Sequence, residues 1–252
     1  MISKNQIKFV HQLELKKHRQ REGLFVAEGP KVVGDLLQAG FRPTLLYATA
    51  AWTAPATVHP TPVTDDELRK LSFLQHPQQV LAVFPLPSAP TTHTAPVPQP
   101  APQRPAELTL ALDGVQDPGN LGTIIRLADW FDIGTIICSH DTADAWSPKV
   151  VQATMGSIAR VNIVYTDLKD YLSHADIPIC GTVLDGENIF KTTLPQKAVV
   201  VMGNEGNGIS ADIRQLLTHR LLIPPLRKGP ESLNVAIATA ITCTEFLRSN
   251  AM

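Results

Sequence analysis

The amino-acid sequence predicts an α/β protein with two domains joined by a proline-rich segment. Three observations lead to this fold class: short strands rich in valine, isoleucine and leucine recur along the chain, helical patterns separate them, and most of the strands are apolar on both faces. Strands of this kind, joined by helices, are typical of parallel sheets. The 252 residues are 44% hydrophobic, enough to build packed cores in one large or two small domains.

The clearest domain boundary is the proline-rich segment at 85–106. Between Pro85 and Pro105 lie 8 of the chain's 21 prolines and no glycine. Proline fixes φ and has no backbone donor, so this segment is predicted to form neither a helix nor a central strand. We predict an extended spacer of polyproline type, in preference to a ligand for other domains, between a domain at 1–84 and a domain at 107–252.

The domain at 1–84 is predicted to be a small α/β unit. A basic amphipathic helix covers about 4–19, PKVVGDLLQAG has helical spacing, and TLLYATA and QVLAVF have the composition of strands. Thr64 and Glu67 have the spacing of a capping box, which predicts a helix through Leu71. The net charge of the chain is only -1, but its beginning is locally basic. There Lys4, Lys8, Lys16, Lys17, Arg19 and Arg21 stand against Glu14 and Glu22.

The domain at 107–252 is predicted to be a doubly wound, mainly parallel sheet. Its strands are LTLALDGV, TIIC, RVNIVY, PICGTVL, KAVVVMG and RLLIP. Its main helices begin near Asn120, run through PKVVQATMG, lie around SADIRQLLTH and end the chain with LNVAIATAITCTEFLRS. In such a sheet the ligand binds beyond the carboxyl ends of the strands.

Three loops at that edge are dense in glycine, asparagine and charge. They lie in DGVQDPGNLGTIIR, VVVMGNEGNGIS and LLIPPLRKGPESLNVAIA. Glycine lets a ligand approach backbone amides closely, and asparagine offers both a donor and an acceptor. One such loop alone is more often a turn or a helix cap, but three at one edge predict a binding site.

Several other kinds of site are disfavoured. GNEGNG spaces its glycines as GxxGxG, whereas the dinucleotide fingerprint is GxGxxG, and neither GxxxxGK[ST] nor GxSxG occurs. Cys138, Cys180 and Cys243 are far apart and lack metal-ligand spacing, so we expect small buried residues and neither disulfides nor a metal site. Because no segment is as apolar as a signal peptide or a membrane span, we expect a cytoplasmic protein without a membrane partner.

Arg126 is the informative residue of the first loop. It stands among Ile124, Ile125 and Leu127, which predicts a partly buried guanidinium that needs a carboxylate, carbonyl or phosphate partner. A structural ion pair with Glu205 or Asp113 and a role in binding a phosphodiester are both open at this point.

Together the three loops resemble motifs 1, 2 and 3 of the SpoU (TrmH-type) branch of the SPOUT RNA 2'-O-ribose methyltransferases. The matching stretches are DPGNLGTIIRLADWF, VMGNEGNGI and IPPLRKGPESLNVAIATAI, in the family's order and spacing. The likeness covers about 108–248, and SPKVVQATMGSIARV resembles the family's intervening segment. By a shorter match, LFVAEGPKVV resembles the small substrate-binding domain that precedes the catalytic domain in many members.

The resemblance implies S-adenosyl-L-methionine as methyl donor, an RNA ribose 2'-hydroxyl as acceptor, a catalytic domain with a deep trefoil knot, and a homodimer whose subunits complete the sites. The implied catalytic positions are Asn120, Arg126, Glu205, Ser232 and Asn234. The implied cofactor-binding positions are Leu184, Met202, Gly203, Gly206, Ile223 and Leu233.

Family accounts make the arginine the base, but a guanidinium with a pKa above about 12 is a poor proton acceptor. We instead expect Arg126 to bind the ribose hydroxyl and a neighbouring phosphate, with Asn120 and Glu205 fixing it, while phosphate or water takes the proton. Simpler roles stay open for other positions. These are turn geometry for Gly206 and Gly208, helix capping for Ser232 and Asn234, and RNA phosphate contact for Arg227 or Lys228.

Two other functions compete with methyl transfer. An RNA-binding relative without activity would not need the motif residues that this chain keeps. A metal-dependent phosphate-ester enzyme would need aimed carboxylates, and its only candidates, Asp113 and Asp117, are explained by turn roles at strand ends. The basic N-terminus and the additional domain favour ribosomal RNA over transfer RNA as the partner.

Overall fold

A computed structural model describes residues 2–87, 107–226 and 232–250. Most of the linker predicted at 85–106 lies outside these residues, as do Arg227 and Lys228. The described residues form two compact units. One comprises 2–87 together with 144–160, and the other comprises 107–143, 161–226 and 232–250.

The first unit contains a four-stranded mixed sheet. Its elements in 2–87 are α1 (Lys4–Gln12), α2 (Lys16–Glu22), β1 (Leu24–Glu28), α3 (Pro30–Gln38), β2 (Leu45–Ala48), β3 (Thr61–Pro62), α4 (Asp65–Leu71) and β4 (Val80–Pro85). The strand order is β1-β4-β2-β3, with β4 antiparallel to β1 and β2. The predicted capping box is confirmed, because the Thr64 hydroxyl accepts from the Glu67 amide and the Glu67 carboxylate accepts from the Thr64 amide.

The single helix predicted over 4–19 is wrong, because α1 and α2 are separate helices. Leu13 turns into the core with 0% exposure, and the backbone of Leu15 is extended. The Arg19 guanidinium donates to the carbonyl groups of Leu13 and Glu14 at 2.7 and 2.6 Å. Arg19 therefore satisfies the backbone that the end of α1 leaves without helical partners.

The second unit contains six parallel strands, which confirms the predicted α/β fold with a parallel sheet. Its elements are β5 (Glu107–Asp113), α5 (Pro118–Trp130), β6 (Thr135–Cys138), β7 (Asn162–Tyr165), α7 (Leu168–Ser173), β8 (Ile179–Asn188), β9 (Lys197–Gly203), α8 (Ala211–Arg214), β10 (His219–Leu222) and α9 (Val235–Asn250). Between β6 and β7 the chain forms α6 (Pro148–Ala153), which belongs to the first unit and packs on β1.

The strand order β10-β8-β9-β5-β6-β7 places a switch point at the centre of the sheet. From β5 the chain moves outward to β6 and β7, and it then returns to β8 on the other side. The reversal falls between β5 and β9, whose last residues Asp113 and Gly203 are paired. Ligands of open parallel sheets bind in the crevice at such a point, so the fold predicts a site between the loops that follow β5 and β9.

The three cysteines are free and buried, which confirms that they are core residues. Burial raises the pKa of each thiol to about 12. None of the described helices is long and apolar enough to cross a bilayer.

Candidate functional site

The Glu205 carboxylate connects the loop after β9 to the start of α5. It accepts hydrogen bonds from the backbone amides of Gln116 and Asp117 at 3.3 and 3.2 Å, and from the Asn120 side chain at 3.0 Å. The structure therefore brings together two of the predicted catalytic positions at the switch point of the sheet.

Asn234 joins this pair from the start of α9. Its side-chain amide donates to Asn120 Oδ1 at 2.8 Å, and its Oδ1 accepts from the backbone amides of Ala236 and Ile237. Asn234 thus caps α9, as the simpler reading of the sequence predicts, and also completes a hydrogen-bonded chain Glu205–Asn120–Asn234. Because Asn120 donates to a carboxylate and accepts from an amide, the orientation of its side chain is fixed.

The surroundings of Glu205 favour the ionised form of its carboxyl group. Partial burial raises its pKa, but the hydrogen bonds from Asn120 and from the surrounding backbone amides outweigh burial and hold the pKa below its ordinary value. A carboxylate with a lowered pKa and several donors is a weak proton acceptor, and in this structure it fastens the loop after β9 to the start of α5.

Asn204 is a residue of this site that the sequence reading misses. Its side-chain amide donates to the Gly114 carbonyl at 2.7 Å, and its Oδ1 accepts from the amides of Gly206 and Asn207. Asn204 therefore shapes the loop after β9 and fastens it to the loop after β5. An asparagine at the start of a glycine-rich turn is the local signal for such an Asx turn.

The turn roles expected for Asp113 and Asp117 are confirmed. Asp113 accepts from the Ser210 amide at 2.7 Å, and Asp117 caps α5 by accepting from the Asn120 amide at 2.8 Å. Because Asp117 is the cap, α5 begins at Pro118, two residues before the start predicted near Asn120.

The glycines of the β9 loop answer to different requirements. A Cβ on Gly203 would lie 2.2 Å from the Gly208 carbonyl carbon, so close backbone packing requires glycine there. Gly208 has a φ of +69°, the left-handed region, which confirms its turn role. Gly206 lies outside that region and its Cβ would meet only Asn204 Oδ1 at 3.5 Å, so neither conformation nor packing demands glycine there.

The expectation that Arg126 is partly buried is wrong, because its side chain is exposed. Within the residues that the structure describes it has no hydrogen bond or ion pair, so it pairs with neither Glu205 nor Asp113 and is not fixed by Asn120. The neighbours in sequence mislead because adjacent residues of a helix point about 100° apart. Arg126 instead shares an exposed stripe of α5 with Thr123 and Trp130.

The other predicted site residues lie in or next to β8, β9, β10 and α9. Ser232 is exposed two residues before Asn234. Of the cofactor positions, Met202 is buried at the end of β9, Leu184 is 74% exposed on β8, and Leu233 is 49% exposed before α9. Ile223 directly follows β10.

Comparison with known proteins identifies two family models in the chain. A model of the SpoU rRNA Methylase family matches residues 107–244, and a model of the MRM3-like substrate binding domain matches residues 4–82. The chain is 28% identical over 249 residues to the 23S rRNA (guanosine(2553)-2'-O)-methyltransferase RlmP of Bacillus subtilis, and the match covers 95% of both proteins.

Solved structures agree over nearly the whole chain. A TrmH-family protein from Porphyromonas gingivalis superposes with a TM-score of 0.84 at 42% identity, covering 98% of this chain and 99% of that one. An AdoMet-bound rRNA methyltransferase from Sinorhizobium meliloti superposes with a TM-score of 0.82 at 30% identity, covering 98% and 96%.

Proposed function

Because this protein belongs to the SpoU rRNA methylase family, we propose that a ribose of ribosomal RNA is methylated beside the hydrogen-bonded side chains of Glu205, Asn120 and Asn234. The protein is an RNA 2'-O-ribose methyltransferase that uses S-adenosyl-L-methionine. Ribosomal RNA is proposed as the substrate because the match to RlmP extends over 95% of this chain. The observation that carries the proposal is that Glu205, Asn120 and Asn234, one from each motif, meet at the switch point of the sheet.

The residues at this edge fit the cofactor. Gly206 is a glycine that neither conformation nor packing requires, since an added Cβ would meet only Asn204 Oδ1, at 3.5 Å. Leu184 and Leu233 present exposed apolar side chains, which suit the faces of a purine ring. With Met202, Gly203 and Ile223 they are the proposed cofactor positions, and the bound sulfonium supplies an activated methyl group.

The chain's own residues position the nucleophile rather than deprotonate it. Glu205 is a hydrogen-bonded carboxylate with a lowered pKa, the amide of Asn120 does not titrate, and a guanidinium does not give up its proton. We propose that the 2'-hydroxyl proton passes to an RNA phosphate oxygen or to water. Alignment of the hydroxyl with the methyl group then contributes to the acceleration, on the order of 7 kcal/mol or more for well-oriented groups.

A homodimer is part of this proposal. Arg126 lies on the exposed stripe of α5 and has no contact with Glu205 or Asn120, so we propose that it serves RNA at the site of the partner subunit. Trp130 on α5 is 84% exposed and Ile237 on α9 is 53% exposed, and these two helices pack on each other. Exposed apolar side chains of this size supply surface that a dimer would bury. Sedimentation tests the homodimer: wild type should sediment as a dimer and Ile237→Asp as a monomer. A monomeric wild type would refute the homodimer.

The domain roles and the location are proposals of the same kind. Residues 1–84 are proposed to bind RNA, 85–106 to link, and 107–252 to carry methyl transfer within a knotted sheet. We propose a cytoplasmic location, although the relatives also include a mouse protein named rRNA methyltransferase 3, mitochondrial, which is 26% identical over 90% of this chain. Fractionation of cells with antibodies against the chain tests the location.

The decisive experiment maps ribose methylation across total RNA from cells with and without the gene. One position of ribosomal RNA should lose its methyl group in the deletion strain and regain it with purified protein and S-adenosyl-L-methionine. Loss of no position would refute the proposed activity. Calorimetry with S-adenosyl-L-methionine separates the enzyme from a pure RNA-binding relative, which does not bind it.

The role of Arg126 is tested by Arg126→Lys. This change keeps the positive charge but loses the two-pronged donor that binds hydroxyl and phosphate together. Turnover is expected to fall at least tenfold with unchanged RNA affinity. Near wild-type turnover at unchanged affinity would refute the bidentate role.

A further inference from the structure

The turn between α1 and α2 exposes lysines on both of its sides. Lys4 and Lys8 are four residues apart and share a face of α1, and Lys17 lies in the first turn of α2. All three are exposed and, within the described part of the chain, have no side-chain hydrogen bond or ion pair. Leu15, in the turn itself, is 52% exposed. We call Lys4, Lys8, Leu15 and Lys17 the basic corner.

Few negative charges oppose this corner along α1 and α2. The two carboxylates in residues 1–22 are Glu14 and Glu22, and Glu22 is paired with Arg21 at 2.7 Å. The acidic first turn of α4 is partly engaged by its own residues, because Glu67 closes the capping box and Asp66 pairs with Arg69. Residues 1–22 therefore carry six lysine and arginine side chains against two carboxylates, in a chain with a net charge of -1.

A buried arginine fixes the shape of the corner. Arg19 is 2% exposed and donates to the carbonyls of Leu13 and Glu14 and to the carboxylate of Asp144. A buried guanidinium with this many partners is a built contact rather than a surface pair. Because these bonds fasten the backbone of the turn, the backbone positions of the lysines on α1 and α2 are set before any ligand binds, which lowers the part of the entropic cost of binding that comes from ordering the backbone.

We propose that the basic corner binds the phosphate backbone of the substrate RNA, an inference that rests on the proposed function and deepens it. Exposed lysines without ionic partners meet phosphates as point charges and give up no existing contact. Leu15, which stands between the two sets of lysines in sequence, adds exposed apolar surface at the turn. Contacts of this type fix the position and register of RNA and do not read its bases, so the corner supplies affinity while base choice lies elsewhere.

The test compares two double variants that remove equal charge. Lys8→Ala/Lys17→Ala changes the corner, and the matched control Lys169→Ala/Lys197→Ala removes two exposed lysines of the second unit that pair with Asp212 and Glu107. Binding of an unmodified 23S rRNA transcript is measured from 50 to 250 mM KCl, and methylation gives kcat and KM. Thermal unfolding checks that both variants are folded.

The corner variant is expected to lower the slope of log K against log salt by about 1.4, since each lost single-strand phosphate contact contributes about 0.7. At 0.15 M salt this corresponds to roughly tenfold weaker binding and a similarly raised KM, with kcat unchanged. A slope and KM equal to those of wild type, or equal losses in the control variant, would overturn the proposal. If the corner variant shows the expected change of slope relative to wild type but wild type transfers no methyl group, the proposed function fails and the RNA-binding role of the corner stands.

Discussion

Three glycines within six residues of the β9 loop allow the demands of folding to be separated from those of cofactor binding. Gly203 packs against backbone and Gly208 has a left-handed conformation, whereas neither of these requirements applies to Gly206. Replacing each by alanine adds the same methyl group in three different environments. We therefore expect three distinct outcomes from one chemical change.

The magnitudes follow from the contacts of the added Cβ. In Gly203→Ala it would lie 2.2 Å from a backbone carbon, which forces the loop to shift and costs about 3 kcal/mol. In Gly208→Ala it meets open space but the φ of +69° costs about 1 kcal/mol. In Gly206→Ala the free energy of unfolding stays constant or rises by up to about 1 kcal/mol, because the unfolded chain loses freedom.

Binding of S-adenosyl-L-methionine should rank these variants differently from their stability. Gly206→Ala is expected to weaken binding at least tenfold, or about 1.4 kcal/mol, because the methyl group occupies space proposed for the cofactor. Urea unfolding gives the stability of each variant, and calorimetry gives the dissociation constant. Wild-type cofactor affinity in Gly206→Ala would refute the cofactor role of Gly206. A loss of about 2 kcal/mol in its free energy of unfolding would show that the fold does require glycine at this position.

Three further predictions address the buried arginine and the site. Arg19→Met should lower the free energy of unfolding by about 3 to 5 kcal/mol in urea, because Asp144 and two carbonyl groups lose their donor; a loss below about 1 kcal/mol would contradict a built contact. Asn234→Ala should cost about 1 kcal/mol and reduce kcat, whereas Asn234→Ser should restore the cap without reaching Asn120, so its stability recovers and kcat does not; recovery of both would refute the network role. Because the folded-state pKa of Glu205 is lowered, its stabilising contribution is present above the ordinary value of 4.5 and is lost as pH falls through the folded pKa. The stability difference between wild type and Glu205→Gln, measured in urea at pH 3 to 8, should therefore shrink below about pH 4.5, and growth on acidification would contradict this sign.

The parts of the fold that sequence reading predicts correctly are those set by local patterns. The capping box at Thr64 is a four-residue signal, and the parallel strands are short apolar runs with few alternative structures. The separation of α1 from α2 has a distant component, since the arginine that satisfies the turn also binds Asp144, 125 residues away. Hydrophobic periodicity continues across the turn, so it predicts neither the end of α1 nor the contact between Arg19 and Asp144.

The site was predictable to the extent that parallel strands share an edge. Glu205, Asn120 and Asn234 follow different strands, so their meeting was expected from topology and residue type. For Asn204 the sequence signals only the Asx turn within its own loop, because its second partner is a backbone carbonyl group 90 residues away. Whether Arg126 is buried or exposed depends on which face of α5 packs against the protein. Two apolar neighbours in sequence do not determine that face.

The separation of Arg126 from Glu205 is what a site for an anionic substrate requires. A guanidinium beside that carboxylate would form a bidentate pair and be neutralised before RNA arrived. Glu205 instead takes its hydrogen bonds from neutral donors, the side chain of Asn120 and two backbone amides. The carboxylate thereby orders three loops without consuming a cation, and the exposed arginine keeps its charge for a phosphate. A substitution that gave Glu205 a cationic partner, such as Asn120→Arg, should therefore stabilise the loop and abolish methylation, and retained activity would contradict this division of roles.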